Sequence, residues 1–214
     1  MRVGIIDYGV GNLSSVVRAL ELIRVTPVTI INTSEMSLVD KLILPGVGNF
    51  KDCAQLLKNG GWMNALREEA LTNAKPLLGI CLGMQFLATT SMEGVDENSS
   101  FGVAGLNLIP GRVESLKKLG CKLRLPHIGW NSVTSCSAVG GLFNLVPDET
   151  DFYFVHSYAF VPEDPAHVLA TTDYGIPVTA AVKCGNIWGT QFHPEKSSRA
   201  GLQILRNFIE NPIC

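Results

Sequence analysis

Hydrophobic and polar positions alternate along the first half of the chain in a pattern that predicts short strands separated by amphipathic helices. Four apolar runs, VGII, PVTII, KLILP and KPLLGI, are each followed by a helical pattern or a glycine turn. After the first run, apolar residues recur at the spacing of one helix face: Leu13, Val16, Val17, Leu20 and Ile23. This alternation is typical of a parallel sheet covered by helices.

The second half has a different pattern, with β-branched and aromatic residues in segments that turns interrupt. These segments cover residues 114–133, 151–161, 167–174 and 177–192, and we expect antiparallel strands there that extend the sheet. Residues 197–211 form a predicted helix with an apolar face of Leu202, Leu205, Phe208 and Ile209. The expected fold class is α/β, with a central, mostly parallel sheet covered by helices and an antiparallel extension. We expect residues 1–214 to form one domain.

The composition indicates a globular chain that can bury a large core. Of its 214 residues 46% are hydrophobic, and 17 basic and 19 acidic residues leave a net charge of −2 without a long run of either sign. This balance does not favour nucleic acid or an anionic membrane as a partner. No apolar run reaches about 18 residues, and Asp7 interrupts the first run before a signal-peptide core forms. We therefore expect a cytoplasmic protein.

Six cysteines, at positions 53, 81, 121, 136, 184 and 214, lie far apart and form no C-x-x-C pair. In a reducing compartment this spacing predicts mostly buried thiols, one of which is a candidate nucleophile. We expect no metal site and no cofactor.

The stretch KPLLGICLGMQFL carries the most specific chemical signal. An apolar strand runs through Gly79, Cys81 and Gly83 into a helix, which is the thiol form, G-x-C-x-G, of a nucleophile elbow. Both glycines are needed because a Cβ at either position would crowd the strained turn. A cysteine at a helix N-terminus lies near the positive end of the helix dipole, which favours the thiolate, and the Leu82 N–H is free to bind an oxyanion. A buried structural cysteine is the alternative.

A thiolate nucleophile needs a group for proton exchange, and the segment GTQFHPEKS offers one. His193 follows a predicted strand, and Pro194 biases it toward extended backbone. Because residues two apart in extended backbone point the same way, Glu195 can hold the imidazole of His193. With Cys81 these residues form a candidate triad of nucleophile, base and orienting carboxylate. A surface turn is the alternative for H-P-E by itself.

The N-terminal loop DYGVGN has two competing interpretations. Gly9 and Gly11 fit a dinucleotide-binding fingerprint between a strand and a helix, but Ser14 stands at the third glycine position. No acidic residue is clearly placed about 20 positions further on. A tight strand-to-helix turn without a phosphate is the other interpretation.

These motifs resemble those of the class I glutamine amidotransferases, whose glutaminase domains share the G-x-C-x-G elbow and a late H-P-E. Within that class, six segments in this order are similar to those of the glutaminase subunits of imidazole glycerol phosphate synthases: DYGVGN, LPGVGNF, GICLGMQ, PHIGWN, YFVHSY and QFHPEKS. The resemblance implies a flavodoxin-like amidotransferase fold and hydrolysis of glutamine to glutamate and ammonia. The ammonia would pass to a cyclase subunit, in a heterodimer that forms imidazole glycerol phosphate and aminoimidazole carboxamide ribotide in histidine biosynthesis.

The resemblance also implies roles for individual residues. Cys81 would attack the carboxamide carbon of glutamine, His193 would protonate the departing ammonia, and Glu195 would orient His193. The oxyanion would meet amide groups near Val47, Gly48 and Leu82; the substrate would contact Gln85, Glu93, Ser157 and Tyr158; and the partner interface would include Asn12, Trp130, Asn131, Tyr153 and Lys196. The DYGVGN loop would then face the synthase subunit rather than a phosphate. His156 is expected to be a structural histidine, and core packing is the alternative for the two interface aromatics.

Two departures from the family pattern keep other functions open. Asn107 stands where a glycine is common in the family, although asparagine tolerates a left-handed backbone. The segment ESLKKLGCKLRL is less similar to the family and leads into the predicted interface. A paralogue that feeds ammonia to a sugar amidotransferase of surface-polysaccharide biosynthesis is therefore one alternative. A self-sufficient cysteine hydrolase and a catalytically silent binding module are the others.

Overall fold

A computed structural model describes residues 1–96, 101–136 and 141–210. Its strands, numbered along the chain, are β1 (Val3–Ile6), β2 (Val28–Ile30), β3 (Lys41–Gly46), β4 (Leu77–Cys81), β5 (Thr90–Ser91), β6 (Val103–Ala104), β7 (Gly111–Ser115), β8 (His127–Ser135), β9 (Thr150–His156), β10 (Tyr158–Pro162), β11 (Val168–Asp173), β12 (Pro177–Cys184) and β13 (Ile187–Thr190). Its α-helices are α1 (Leu13–Leu22), α2 (Phe50–Asn59), α3 (Trp62–Arg67), α4 (Leu82–Phe86) and α5 (Ser198–Glu210).

The larger sheet has the strand order β2-β1-β3-β4-β13-β12-β11-β8-β9. Neighbouring strands from β2 to β13 are parallel, and those from β13 to β9 are antiparallel. The parallel first half and the antiparallel extension that the sequence predicts are therefore confirmed. The fold class is α/β.

Helices on both faces explain why the central strands are apolar throughout. Strands β1, β3 and β4 are buried along their whole length. Successive residues of β3 point to opposite faces, so Ile43 packs with α1 and α5 while Leu42 and Leu44 pack with α2 and α3. The carboxyl ends of β3 and β4 meet at the pair Gly46 and Cys81, which places Cys81 at the edge of the sheet where ligands of open α/β folds bind.

A smaller sheet, with the order β10-β7-β5-β6, corrects the expectation for residues 151–161. This segment does not form one strand of the extended sheet, because β9 ends at His156 in the larger sheet and β10 begins at Tyr158 in the smaller one. The burial pattern changes at the break. Phe152 and Phe154 keep the period of two, whereas Ala159 and Phe160 are buried consecutively.

Residues 114–133 also contain less strand than expected. Strand β7 ends at Ser115 and β8 begins at His127. Between them the amide groups of residues 119–121 bond to carbonyls three to five positions back. Gly120, with φ +102°, supplies the left-handed backbone that closes this turn.

The C-terminal helix, most of the cysteines and Asn107 can also be compared with the sequence expectations. In α5, Leu205, Phe208 and Ile209 are buried and Leu202 is partly buried, while Asn211 lies outside the described residues. Cys53, Cys81 and Cys121 are buried, Cys184 is half-buried, Cys136 is exposed, and Cys214 lies outside the described residues. Asn107 has φ +49°, which is the left-handed backbone predicted for it. None of the helices in the described ranges has both the length and the apolar character that a membrane span needs.

Candidate active site

A sharp turn between β4 and α4 presents the Cys81 side chain. Cys81 itself has φ +55° and ψ −108°, a strained conformation for a residue with a Cβ. A Cβ on Gly79 would lie 2.5 Å from the Gly83 carbonyl oxygen, and a Cβ on Gly83 would overlap the Leu44 carbonyl oxygen. Only glycine fits at either position, as the elbow motif predicts.

His193 and Glu195 form a buried pair beyond β13. Nδ1 of His193 lies 2.7 Å from Oε1 of Glu195, and the two side chains are 2% and 1% exposed. Burial lowers the pKa of His193, but the neighbouring Cys81 sulfur and the Glu195 carboxylate outweigh this effect and raise it to about 10. These two neighbours therefore favour the protonated form of the His193 ring.

The backbone of His193 is fixed to β9. Its N–H donates to the Tyr153 carbonyl at 2.9 Å, and the buried Ser197 hydroxyl donates to the His193 carbonyl at 2.6 Å. The same hydroxyl accepts the Tyr153 N–H at 3.0 Å. Ser197, which the sequence analysis does not single out, thus holds the imidazole-bearing turn against the strand that carries part of the predicted interface.

An open pocket of about 160 Å³ brings the predicted residues together. Its lining comprises Val47, Gly48, Cys81, Leu82, Gln85, Glu93, Val155, His156, Ser157, Tyr158 and His193. The nucleophile candidate, the histidine, the three oxyanion positions and the four substrate positions therefore share one cavity. Glu195 lies behind it and lines a smaller adjoining cavity with Asn12 and Pro45.

The loop after β3 forms one wall of this pocket. Gly48 has φ +106°, and the Val47 carbonyl accepts the Cys53 thiol at 3.5 Å. The Asn49 side chain caps α2 by accepting two amide groups. The loop is thus anchored on one side at the start of α2, while its glycine allows backbone rotation next to the pocket.

Gln191 is a residue beside the nucleophile that the sequence analysis missed. Its Nε2 donates to the Cys81 sulfur at 3.7 Å, and its Oε1 accepts from Gln85 Nε2 at 3.0 Å. Gln85 Nε2 also donates to the Tyr158 carbonyl at 3.0 Å. His193 has the expected extended backbone, but Glu195 lies in the 3₁₀ helix Pro194–Lys196, so their contact comes from this turn and the expected period of two is wrong. No local sequence pattern singles out Gln191.

Glu93 contributes a half-buried carboxylate to the pocket wall. Its Oε2 accepts the Phe50 N–H at 2.9 Å, which ties it to the first residue of α2. Burial raises the pKa of Glu93, and the Phe50 hydrogen bond opposes this shift only in part. A cation placed near this carboxylate would therefore be stabilised.

The DYGVGN loop has the geometry of a tight turn. Gly9 and Gly11 have φ +96° and +133°, and the Asp7 carboxylate accepts the Gly9 N–H at 3.0 Å. An amide that a phosphate would need is thereby used within the loop, and the carboxylate adds a negative charge. The turn interpretation therefore fits the structure better than a phosphate cradle.

Three of the predicted interface residues form one cluster on the outer surface. Trp130 and Tyr153 are paired across β8 and β9, with ring centroids 6.1 Å apart, and the Lys196 ammonium lies 5.9 Å from the Tyr153 ring. Trp130 is 53% exposed, so the core alternative for this aromatic is wrong. Asn131, the next residue along β8, is half-buried, and its side chain lies on the other face of the strand beside His127.

His156 is buried and hydrogen-bonded, which fits the structural role expected for it. Its Nε2 lies 3.0 Å from Nδ1 of His127, and its Nδ1 lies 2.8 Å from the Tyr158 carbonyl oxygen. Burial lowers the pKa of each of the two histidines to about 4. Both rings are therefore neutral at neutral pH.

Comparison with known proteins identifies the family. The profile of the family described as glutamine amidotransferase class-I matches residues 4–211. The chain belongs to the class I glutamine amidotransferases, which confirms the resemblance seen in the motifs. More narrowly, it is 46% identical over 208 residues to the imidazole glycerol phosphate synthase subunit HisH of Moorella thermoacetica, covering 97% of this chain and 94% of that protein. It is 40% identical to the subunit of the same name from Pelagibacter ubique, covering 98% and 99%. The chain is thus a member of the HisH group within its class.

Solved structures agree on the fold. A crystal structure of a glutamine amidotransferase superposes with a TM-score of 0.73 at 20% identity, covering 97% of each chain. A glutamine amidotransferase from Thermotoga maritima gives a TM-score of 0.63 at 19% identity, covering 98% of this chain and 83% of that one.

Proposed function

We propose that this chain is the glutaminase subunit of an imidazole glycerol phosphate synthase, which releases ammonia from glutamine for a cyclase subunit. The observation that carries the proposal is the shared pocket, because it joins a strained cysteine to a histidine that a buried carboxylate orients. The names of the relatives in Moorella thermoacetica and Pelagibacter ubique support the choice of synthase.

In the proposed reaction the Cys81 thiolate attacks the carboxamide carbon of glutamine. The C–N bond breaks as His193 donates its Nε2 proton to the departing nitrogen, and ammonia and a glutamyl thioester result. Within the described residues, Nε2 of His193 has no hydrogen-bond partner, so this atom is available to the substrate. Water, with His193 as the base, then cleaves the thioester to glutamate. Glu195 holds the ring through Nδ1 throughout.

The rest of the pocket stabilises the oxyanion and the substrate in this proposal. Amide groups near Val47, Gly48 and Leu82 face the developing negative charge, and each such donor is worth roughly 10²–10³ in rate. The Glu93 carboxylate, which lines the pocket and is held by the Phe50 N–H, suits the α-ammonium group of glutamine. Ser157 and Tyr158 complete the wall next to Gln85.

The partner surface is assigned to Asn12, Trp130, Asn131, Tyr153 and Lys196. Tyr153 links this surface to the triad, since its backbone carbonyl and amide hold His193 and Ser197. Docking of the cyclase subunit on the aromatic cluster would therefore act close to the reacting atoms. We expect the isolated chain to hydrolyse glutamine slowly, and the cyclase subunit with a bound nucleotide ligand to accelerate it at least ~10²-fold, the worth of one oxyanion donor.

The proposal is tested with the chain and the cyclase subunit of the same organism. Imidazole glycerol phosphate formation is measured with glutamine or with ammonium as the nitrogen source, for the wild type, Cys81→Ala and the matched control Cys184→Ala. We expect Cys81→Ala to lose glutamine-dependent synthesis at least ~10³-fold and to keep ammonium-dependent synthesis, with Cys184→Ala unchanged in both.

Other outcomes would identify the alternative functions. Equal loss of both activities in Cys81→Ala would contradict the nucleophile assignment. Glutamine hydrolysis without any synthesis by the cyclase would favour ammonia supply to a different acceptor, such as a sugar amidotransferase. Full hydrolysis by the isolated chain would favour a self-sufficient hydrolase.

A further inference from the structure

Two buried histidines take no part in the proposed reaction, and one of them, His156, lines the pocket that contains Cys81. His127 on β8 and His156 on β9 are register partners, and they are 2% and 6% exposed. Their rings are joined by a 3.0 Å contact between Nδ1 of His127 and Nε2 of His156. A buried imidazole pair is costly to form unless every ring nitrogen is satisfied.

The neighbours of the pair fix the position of every ring proton. The Tyr158 carbonyl can only accept, so Nδ1 of His156 carries the proton of the 2.8 Å contact between them. In the neutral ring Nε2 of His156 is then an acceptor, and Nδ1 of His127 must donate to it. Nε2 of His127 is left as an acceptor, and Asn131 Nδ2 lies 3.3 Å from it as the donor.

These four groups form a chain of hydrogen bonds that we term the histidine relay: the Asn131 amide, His127, His156 and the Tyr158 carbonyl. All its donors point inward. A carbonyl at the inner end and an amide at the outer end cannot exchange protons. The histidine relay can therefore transmit a displacement of its groups but not a proton.

The inner end of the histidine relay reaches the groups around the reactive sulfur. The Tyr158 carbonyl accepts from His156 and also from Gln85 Nε2 at 3.0 Å. Gln85 Nε2 in turn donates to Gln191 Oε1, and Gln191 Nε2 donates to the Cys81 sulfur at 3.7 Å. A displacement of one carbonyl oxygen therefore changes the hydrogen bonds next to the nucleophile.

The outer end lies at the edge of the predicted interface. Asn131 follows the exposed Trp130, and its side-chain nitrogen also donates to the Asp173 carbonyl at 2.7 Å. That contact is shorter than its 3.3 Å contact with His127, so the histidine relay is weakest at its surface end. Stacking on Phe154 and Tyr174, at centroid distances of 4.8 and 3.9 Å, prevents the His127 ring from swinging away.

We propose that His127 and His156 are positioning residues, which hold the Tyr158 carbonyl and make its position respond to a partner docked at Asn131. This inference rests on the proposed function, because it assumes that a cyclase subunit stimulates glutamine hydrolysis. The histidine relay adds a second route from the interface to the pocket, separate from the link that Tyr153 and Ser197 provide to His193.

The first test compares stimulated and unstimulated glutamine hydrolysis. Rates are measured for the isolated chain and for its complex with the cyclase subunit in the presence of imidazole glycerol phosphate. His127→Phe keeps the ring stack and removes both nitrogens, whereas His127→Asn keeps a donor near the position of Nδ1. His167→Phe makes the same chemical change outside the histidine relay and serves as the control.

We expect His127→Phe to lower the stimulated rate at least ~10-fold more than the unstimulated rate, within the usual range of coupling between sites. His127→Asn should recover most of the difference, and His167→Phe should behave as the wild type. An unchanged ratio of stimulated to unstimulated rate would overturn the proposal. If both rates fall by the same factor, the role of His127 is merely structural. If the wild-type complex is not stimulated at all, the proposed function itself fails, before any variant is compared.

The second test needs no variant. Long-range ¹H–¹⁵N correlation spectra of the complex report which ring nitrogen of each histidine carries the proton. The histidine relay requires the proton on Nδ1 in both His127 and His156. A proton on Nε2 of either ring would reverse or break the chain and overturn the proposal, whatever the kinetic result.

Discussion

Nδ1 of His193 lies 2.7 Å from Oε1 of Glu195, two positions further along the chain. This contact turns Nε2 of His193 away from the carboxylate. In the part of the chain that the structure describes, Nε2 is buried without a hydrogen-bond partner beside Cys81. The geometry separates the orienting nitrogen from the nitrogen that exchanges protons.

We expect this separation of roles to appear in the activities of two variants. In the complex with the cyclase subunit, His193→Asn should lower glutamate formation at least ~10³-fold, because it removes the group that exchanges protons. Glu195→Gln should be clearly milder, since an amide oxygen can still hold Nδ1. Glutamate formation at saturating glutamine measures both, and a fully active His193→Asn variant would refute the triad.

The same pair predicts a pH dependence of stability. The pKa of His193 is raised in the folded chain from its ordinary value of 6.5 to about 10. A raised histidine pKa stabilises the fold fully below about pH 6.5, and this contribution is lost as the pH rises through the folded value. The free energy of unfolding should therefore exceed that of His193→Asn by an amount that shrinks between pH 6.5 and 10. Urea titrations across this range measure it, and a constant difference would contradict the raised pKa.

The sequence predicts those site residues whose positions depend on local backbone geometry, and it does not predict those whose positions depend on contacts between distant segments. Cys81 is predictable because the elbow motif fixes its direction. His193 and Glu195 are predictable as a pair, but they meet through the 3₁₀ turn Pro194–Lys196 and not through extended backbone. The role of Gln191 is not predictable, because its hydrogen bond with Gln85 joins residues 106 positions apart. The pairing of His127 with His156 depends on the register of β8 and β9, which no local pattern sets.

In the fold, too, local patterns predict some features and miss others. The buried parallel strands are evident as apolar runs, whereas the change of sheet at Ser157 is not, because the aromatic run from Phe152 to Phe160 continues through it. The two strands are separate because β9 pairs with β8 in the larger sheet, whereas β10 pairs with β7 in the smaller sheet.

Gln191 should support the nucleophile without being essential. Gln191→Leu removes the donor to the Cys81 sulfur and the acceptor for Gln85, and hydrogen bonds to charged groups are worth about 1.5–3 kcal/mol. We expect kcat for glutamine hydrolysis in the complex to fall ~10-fold or more. Gln203→Leu, which breaks a hydrogen bond to Asn207 within α5, is the matched control and should retain the wild-type kcat. Equal kcat values for the two variants would contradict a role for Gln191 next to the sulfur.

Lys196 should contribute to partner coupling rather than to chemistry. Its ammonium lies over the Tyr153 ring on the outer surface, and its side chain is exposed. Lys196→Glu reverses the charge of this cluster, and we expect the complex with the cyclase subunit to be weaker and its stimulation of hydrolysis to be lower. Titration calorimetry and the rate ratio measure these effects, with the exposed Lys58→Glu on α2 as control. An unchanged affinity and ratio would remove Lys196 from the interface.

Nucleophilic catalysis by Cys81 requires a covalent glutamyl intermediate on its sulfur, which can be detected directly. The complex with the cyclase subunit, in the presence of imidazole glycerol phosphate, is quenched in acid during turnover of glutamine, digested, and examined by mass spectrometry. We predict the mass of one glutamyl group on the peptide that contains Cys81, and its absence from that peptide in Cys81→Ala. Continued glutamate formation by Cys81→Ala, or a glutamyl group on a different cysteine, would show that Cys81 is not the nucleophile.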